Sequence, residues 1–228
     1  MKNIFILFLL LFIMSCNNNE NYKKISNIAE ASGICYSEKN DTFFVVNDEG
    51  NIYKLNKEGT ILKKKFIGNY DLESIICLDN ELLVIDEKTG NILKIDLENF
   101  NILEKYKIFG YNLEKKGIEG FIKISDNKYI ISTQSEKKEN LLFLEFSDEK
   151  FKVTKKIKLK YKDLSGLSYN SGFLYILSDK NDIILKYDLE KKEIIQKIKL
   201  KKGAWEGITF DEKGNIFLTD DDGKIVKI

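Results

Sequence analysis

At 228 residues the chain is long enough to bury one sizeable core or two small ones. Its 37 basic residues are all Lys, they meet 36 Asp and Glu, and the chain contains neither His nor Pro. The near-neutral balance argues against nucleic acid as the main partner. The absence of His excludes Ser-His-Asp and Cys-His catalysis and His-ligated zinc or iron within this chain.

Taken in order, residues 1–15 read as a signal peptide. Lys2 supplies the positive start, and 4–14 is an unbroken apolar run. A membrane-spanning helix needs about 20 such residues, so this run is of signal-peptide length. Ile13-Met14-Ser15-Cys16 then resembles a bacterial lipobox, with cleavage before Cys16 and a diacylglycerol on its thiol. On this reading 16–23 is a polar tether, 24–228 is one domain, and the mature protein sits on the membrane of the cell envelope through Cys16.

From there the chain repeats. Ala31-Ser32-Gly33, Leu72-Glu73-Ser74, Ile118-Glu119-Gly120, Leu164-Ser165-Gly166 and Trp205-Glu206-Gly207 recur every 40–50 residues or so, the period of propeller blades. Alternating or continuous apolar runs bounded by Gly, Asn and Asp turns predict four strands per repeat. They fall at 33–36, 42–47, 51–56 and 61–66; at 74–78, 81–86, 91–96 and 102–108; at 120–124, 128–133, 141–146 and 152–159; and at 166–169, 173–178, 183–188 and 193–200. The fifth repeat supplies only 207–210, 215–219 and 224–228. Its missing outer strand is expected from 25–28, which would close the ring and remove an open edge. The fold class is therefore all-β, a propeller of five four-stranded blades closed by an N-terminal strand; a six-bladed-like count is the alternative. Residues 112–116 have room for one helical turn. The lysines of the outer strands read as solvated faces that guard the edges.

Two sets of polar residues recur at fixed places. Ser32, Glu73, Glu119, Ser165 and Glu206 precede the first strand of each repeat, and Asp48, Asp86, Gln134, Asp179 and Asp220 stand where the second strand ends. Antiparallel neighbours return to the same end, so both sets are expected on one rim. So many carboxylates cannot crowd together ionised without a counter-charge. A hard cation with oxygen ligands, Ca²⁺ first, would resolve this, with Glu73, Glu119, Glu206 and Asp86 as metal ligands. Ser32, Asp48, Gln134, Ser165, Asp179, Trp205 and Asp220 complete a ligand-binding rim. Plain hydrogen bonding with Lys partners is the alternative for the whole set, and filling a core gap is the alternative for Trp205. Asp220-Asp221-Asp222-Gly223 lacks the spacing of a Ca²⁺ loop and reads as a hairpin turn. Cys35 and Cys77 stand at opposite parity in their strands, so they are expected on opposite faces as two buried thiols without a disulfide.

The segments at 32–55 (SGICYSEKNDTFFVVNDEGNIYKL), 71–87 (DLESIICLDNELLVIDE), 117–132 (GIEGFIKISDNKYIIS), 163–179 (DLSGLSYNSGFLYILSD) and 206–221 (EGITFDEKGNIFLTDD) together resemble the SdiA-regulated, YjiK-like β-propeller family. The resemblance implies a propeller in the cell envelope and no particular activity. Only 201–204 fills the place before the last Glu-Gly where family members often carry a longer loop. The sequence thus suggests a non-enzymatic, lipid-anchored module that binds an envelope ligand or protein at its carboxylate rim, with Ca²⁺ as the candidate cofactor. Its rival is a metal-dependent hydrolase of the lactonase or esterase kind, with Glu73, Glu119, Glu206 and Asp86 around the ion.

Overall fold

The computed structural model describes residues 22–111, 117–134 and 140–228. The expected signal peptide, Cys16 and most of the tether lie outside these residues, as does the helical turn expected at 112–116.

The first strand, β1 (Lys23–Asn27), stands apart from the repeats that follow it. The first repeat comprises β2 (Ala31–Ser37), β3 (Thr42–Asn47), β4 (Asn51–Leu55) and β5 (Ile61–Phe66), hydrogen-bonded in that order. The second comprises β6 (Leu72–Cys77), β7 (Glu81–Asp86), β8 (Asn91–Asp96) and β9 (Ile102–Phe109). The third comprises β10 (Ile118–Ser125), β11 (Lys128–Thr133), β12 (Leu141–Ser147) and β13 (Lys150–Ile157). A short parallel pairing of β9 with β13 joins these two repeats into one eight-stranded sheet. The fourth repeat is β14 (Gly166–Asn170), β15 (Phe173–Ser178), β16 (Ile183–Asp188) and β17 (Glu193–Lys199). The fifth supplies β18 (Trp205–Phe210), β19 (Ile216–Asp220) and β20 (Lys224–Lys227), and β1 pairs antiparallel with β20 to complete it.

The apolar runs explain the packing. All six residues of β3 are buried, because both of its faces meet other repeats. Phe44, Val46 and Ile52 pack on Leu72, Ile75, Leu82 and Val84 of the second repeat. Phe43, Val45 and Leu55 pack on Phe217 and Ile225 of the fifth. Similar clusters lie between the second and third repeats, the third and fourth, and the fourth and fifth. The core is therefore a circle of seams, and the innermost strands β2, β6, β10, β14 and β18 touch in succession and back to β2. Truncating one of these anchors, as in Phe44→Ala, costs about 3–5 kcal/mol.

Cys35 and Cys77 form a disulfide with Cα atoms 5.7 Å apart, contrary to the expectation from parity. Opposite parity forbids a bridge between strands of one flat sheet. Here β2 and β6 belong to neighbouring sheets of a ring, so the face of one looks at the opposite face of the next. Opposite parity is what brings the two thiols together.

Candidate functional site

The inner strands begin irregularly. Register breaks fall between Ala31 and Gly33, Leu72 and Ser74, Ile118 and Phe121, and Trp205 and Ile208. Ser32, Glu73, Glu119 and Glu206 sit inside these bulges. An extra residue in one strand re-aims its side chain, and here it leaves the ladder at the strand's entry end. The glycine after the bulge lets the next repeat approach. A Cβ on Gly33 would lie 2.8 Å from Glu73 O and 2.9 Å from Ser74 Cα. Hydroxyls of the second strand support the bulges from behind: Gly120 N–H donates to Ser132 Oγ (2.9 Å) and Gly207 N–H to Thr219 Oγ1 (2.8 Å).

The second set needs a correction of register. Ala31 pairs with Asn47, Leu72 with Asp86, Ile118 with Thr133 and Trp205 with Asp220. Asp86 and Asp220 therefore match Asn47 and Thr133, whereas Asp48 and Gln134 match Glu87 and Asp221. The backbone agrees, since Glu87 N–H donates to Asp71 O, Asp179 N–H to Asp163 O and Asp221 N–H to Ala204 O. Asp86 is buried and accepts bonds from Asp71 N–H (3.2 Å) and the Thr89 hydroxyl. Asp220 is buried and accepts from Lys224 N–H (2.8 Å) and Lys224 Nζ (3.3 Å) at the hairpin turn. Both carboxylates are spent on turns, so Asp86 is no metal ligand here and Asp220 is no part of an open rim.

Three other expected rim residues are also committed. Trp205 is 4% exposed, its Nε1–H donates to Lys201 O (2.8 Å), and it packs with Leu177, Ile184 and Leu200. It fills the seam between the fourth and fifth repeats and does not line the mouth. Ser165 Oγ donates to Trp205 O (2.6 Å) and Asp179 Oδ1 accepts from Trp205 N–H (2.8 Å).

What remains converges on the mouth. Oxygens of Asp48, Asp71 and Glu73 all lie within 4.8 Å of one another. Asp48 comes from the turn after β3, and Asp71 and Glu73 from the entry of β6, so the trio spans the seam of the first two repeats. The Ser32 hydroxyl donates to Asp48 Oδ1. Glu119 is 5% exposed, and its Oε1 has no hydrogen-bond partner. Its carboxyl also bonds Glu87 and Gln134. Glu87 reaches Glu119 across Gly117, where any Cβ would fall 1.3 Å from Glu87 Oε1.

The electrostatics are one-sided. Burial, then the nearby charges of Glu119 and Asp48, push the Glu73 carboxyl well above the usual carboxylate range. Burial and the charges of Glu87 and Asp163 push Glu119 up, against the opposing bond from Gln134. Glu206 rises to about 10 through burial and then Asp221 and Glu119. Asp221 rises to about 6 through burial and then Asp48 and Asp179. Asp48, Asp71, Glu87 and Asp179 are raised as well, each chiefly by burial. Lys88 opposes the shift of Asp71 and Lys180 that of Asp179, both as minor effects.

Such a mouth favours either bound protons or a bound cation. Ca²⁺ lies about 2.3–2.6 Å from its oxygen ligands, so atoms up to twice that distance apart can share one ion. Each pair within the trio meets this condition, and the donor set is all oxygen. The Glu119 Oε1, buried and without a hydrogen-bond partner, is a second, independent mark of polar groups left unmatched at the mouth. Asp71, Glu87, Asp163 and Asp221 were not singled out from sequence. Two of them follow an acid already chosen, in Asp86-Glu87 and Asp220-Asp221, and that doubling was the available signal.

None of the curated proteins compared matches the chain. Among solved structures, the chain is similar to the crystal structure of Myxococcus xanthus glutaminyl cyclase, with TM-score 0.71 and 13% identity over 91% of this chain and 93% of that one. It is also similar to a streptogramin B lyase structure, with TM-score 0.54 and 14% identity over 91% and 72% of the two chains. The virginiamycin B lyase of Staphylococcus aureus gives TM-score 0.52 and 14% identity over 91% and 73%. At these identities the likeness is one of fold, an all-β, propeller-like arrangement. The SdiA-regulated family model matches residues 17–222, and the chain belongs to that family.

Proposed function

We propose that the protein is a lipid-anchored, five-bladed propeller of the cell envelope, closed by β1, whose carboxylate mouth binds a hard divalent cation, Ca²⁺ first. Asp48, Asp71 and Glu73 hold the ion, with Glu119 beside them. The observation that carries this is the trio of oxygens within 4.8 Å in a mouth whose carboxyls are pushed toward their protonated forms by burial and by each other. A cation bound by three protein groups keeps open coordination positions, since Ca²⁺ takes 6–8 oxygens. The mouth thereby offers an oxygen-bearing ligand or a partner's carboxylate a place to dock. The Cys35–Cys77 disulfide supports an oxidising, extracytoplasmic compartment, as does the lipobox-like stretch before Cys16.

The test is calorimetric titration of chelator-treated protein with Ca²⁺ and Mg²⁺, repeated on Glu73→Gln. Saturable binding by the wild type that is lost in the variant supports the reading. No heat and no change in Tm with either ion would remove it.

One observation favours a second reading. Glu119 is buried, keeps one oxygen unpartnered and stands near the trio, a suitable place for a general acid or base beside a Lewis acid. In that case the protein is a metal-dependent hydrolase. A panel of lactones and esters assayed with Ca²⁺ decides it: activity abolished by Glu119→Gln supports hydrolysis, and activity untouched by it does not.

A further inference from the structure

The trio is not built within one repeat. Asp48 is carried by the first repeat, Asp71 and Glu73 by the second, so its geometry depends on how tightly β2 closes on β6. Three features of that seam lie in a line. At one end the disulfide ties Cys35 of β2 to Cys77 of β6. Two residues back from Cys35, Gly33 lets the β2 backbone meet Glu73 and Ser74 of β6, with space for no side chain. One residue further, the Ser32 hydroxyl holds Asp48, and the trio follows. Cys77 lies four residues from Glu73 along β6, about 13 Å at strand rise. The cross-link is thus far enough to touch no ligand and close enough to fix the spacing and twist of the two strands that carry them.

We propose that the Cys35–Cys77 disulfide is a positioning element of the cation site: it holds β2 against β6 so that Asp48 meets Asp71 and Glu73 at single-ion distance. This rests on the cation reading above. The seam also differs from the others in kind. The described contacts between repeats elsewhere are packed side chains, hydrogen bonds and the Lys57–Glu212 ion pair, which allow small sliding, while the seam under the trio carries a covalent tie. Cations that demand short, regular coordination feel such a tie most, so loosening it discriminates Mg²⁺ from Ca²⁺.

The experiment compares four forms of the mature protein by Ca²⁺ and Mg²⁺ titration well below their melting temperatures. They are the wild type, Cys35→Ala/Cys77→Ala, Gly33→Ala with the disulfide kept, and Leu177→Ala. The last opens a cavity at the seam of the fourth and fifth repeats, where Leu177 is fully buried. It serves as a control for general loss of stability. The expected result is Ca²⁺ binding weakened about tenfold or more in the first two variants, a larger loss for Mg²⁺ than for Ca²⁺, and wild-type affinity in Leu177→Ala. Wild-type affinity in the cysteine variant overturns the proposal. So does an equal loss in Leu177→Ala, which would mean that affinity follows stability alone. A wild type that binds neither ion removes the cation reading and this inference with it.

Discussion

Glu73→Gln separates a cation site from a hydrogen-bonded structural acid by the sign of its effect. Glu73 is half-buried at the entry of β6 and faces the fields of Glu119, Asp48, Glu87 and Glu206. Without a cation its ionised form is opposed by burial and by like charges, so near neutral pH the folded protein must hold a proton there or bear the repulsion. Gln has the same shape and no charge. The variant is expected to melt higher than the wild type in EDTA at pH 8. In Ca²⁺ the order reverses. Saturation to 100 times Kd stabilises the wild type by about 2.7 kcal/mol. For a domain of this size each kcal/mol raises Tm by about 2–4 °C, so the wild type should gain about 5–11 °C. Glu73→Gln should gain almost nothing. The measurement is a pair of melting curves, with EDTA and with Ca²⁺, for each protein. A variant that melts lower than wild type in EDTA yet keeps the Ca²⁺ shift would refute the reasoning, because Glu73 would then be a needed hydrogen-bond acceptor and no ligand.

Three further outcomes follow from the same geometry. Glu206 is raised to about 10 and Asp221 to about 6, so the folded state binds their protons more tightly than the unfolded chain does. Stability of the cation-free protein should therefore fall as pH rises from about 4.5 through these values, and Ca²⁺ should flatten the slope; urea midpoints at pH 5 and pH 8 check it. Asp220→Ala should cost about 1–3 kcal/mol by orphaning a buried turn and leave Ca²⁺ affinity unchanged, whereas Asp221→Ala should raise Tm in EDTA; reversed effects would restore the register expected from sequence. Removing 22–27 should expose the edge of β20 and speed amide exchange at Ile225 and Val226 before other strands, and exchange that stays as slow as in the full chain would show that β1 does not hold this sheet.

Much of the architecture could be read from residue order. The two-residue alternation and the Gly, Asn and Asp turns gave the four-strand repeats, because strands packed on both faces need continuous apolar runs such as 42–47 and 81–86. Of the Ser or Glu before each first strand, Glu73, Glu119 and Glu206 stand among the carboxyls of the mouth, while Ser165 turns to the backbone of Trp205. What could not be read was which residue of an acidic pair faces inward. A bulge sets two residues against one, and turn lengths differ between repeats, so counting residues from Glu73 led to Asp86 when the mouth takes Glu87. The disulfide was missed for a related reason. Parity says which face of a strand a side chain occupies, but only the ring tells that opposite faces of neighbouring sheets meet. Trp205 was ambiguous because a large aromatic beside a rim suits either a platform or a seam, and its Nε1–H bond to Lys201 O decides for the seam.

The distribution of ring residues explains why the trio sits where it does. The fourth repeat shares with the first a Ser in the ring position and an Asp after the second strand, yet the two behave differently. In the fourth repeat both groups turn to the backbone of Trp205: Ser165 Oγ to its carbonyl and Asp179 Oδ1 to its N–H. That seam is closed by hydrogen bonds, with the indole filling the space behind. In the first repeat the Ser32 hydroxyl bonds Asp48 itself, so the carboxylate is oriented and stays in the mouth. The neighbouring repeat then supplies Asp71 and Glu73 in place of the Ala204 and Glu206 found beside Asp179. A small Ser next to a Glu-bearing neighbour, with an acid two residues before that Glu, is the combination that gathers three oxygens at one seam. The same two-residue pattern therefore builds a lock in the fourth repeat and leaves a cluster of carboxylate oxygens open at the seam of the first. The sequence difference between them is Asp71-Leu72-Glu73 against Ala204-Trp205-Glu206. Exchanging Asp71 for Ala, as at position 204, should weaken Ca²⁺ binding while leaving the fold's melting temperature in EDTA unchanged or higher, and a loss of stability in EDTA would show that Asp71 serves the turn and not the ion.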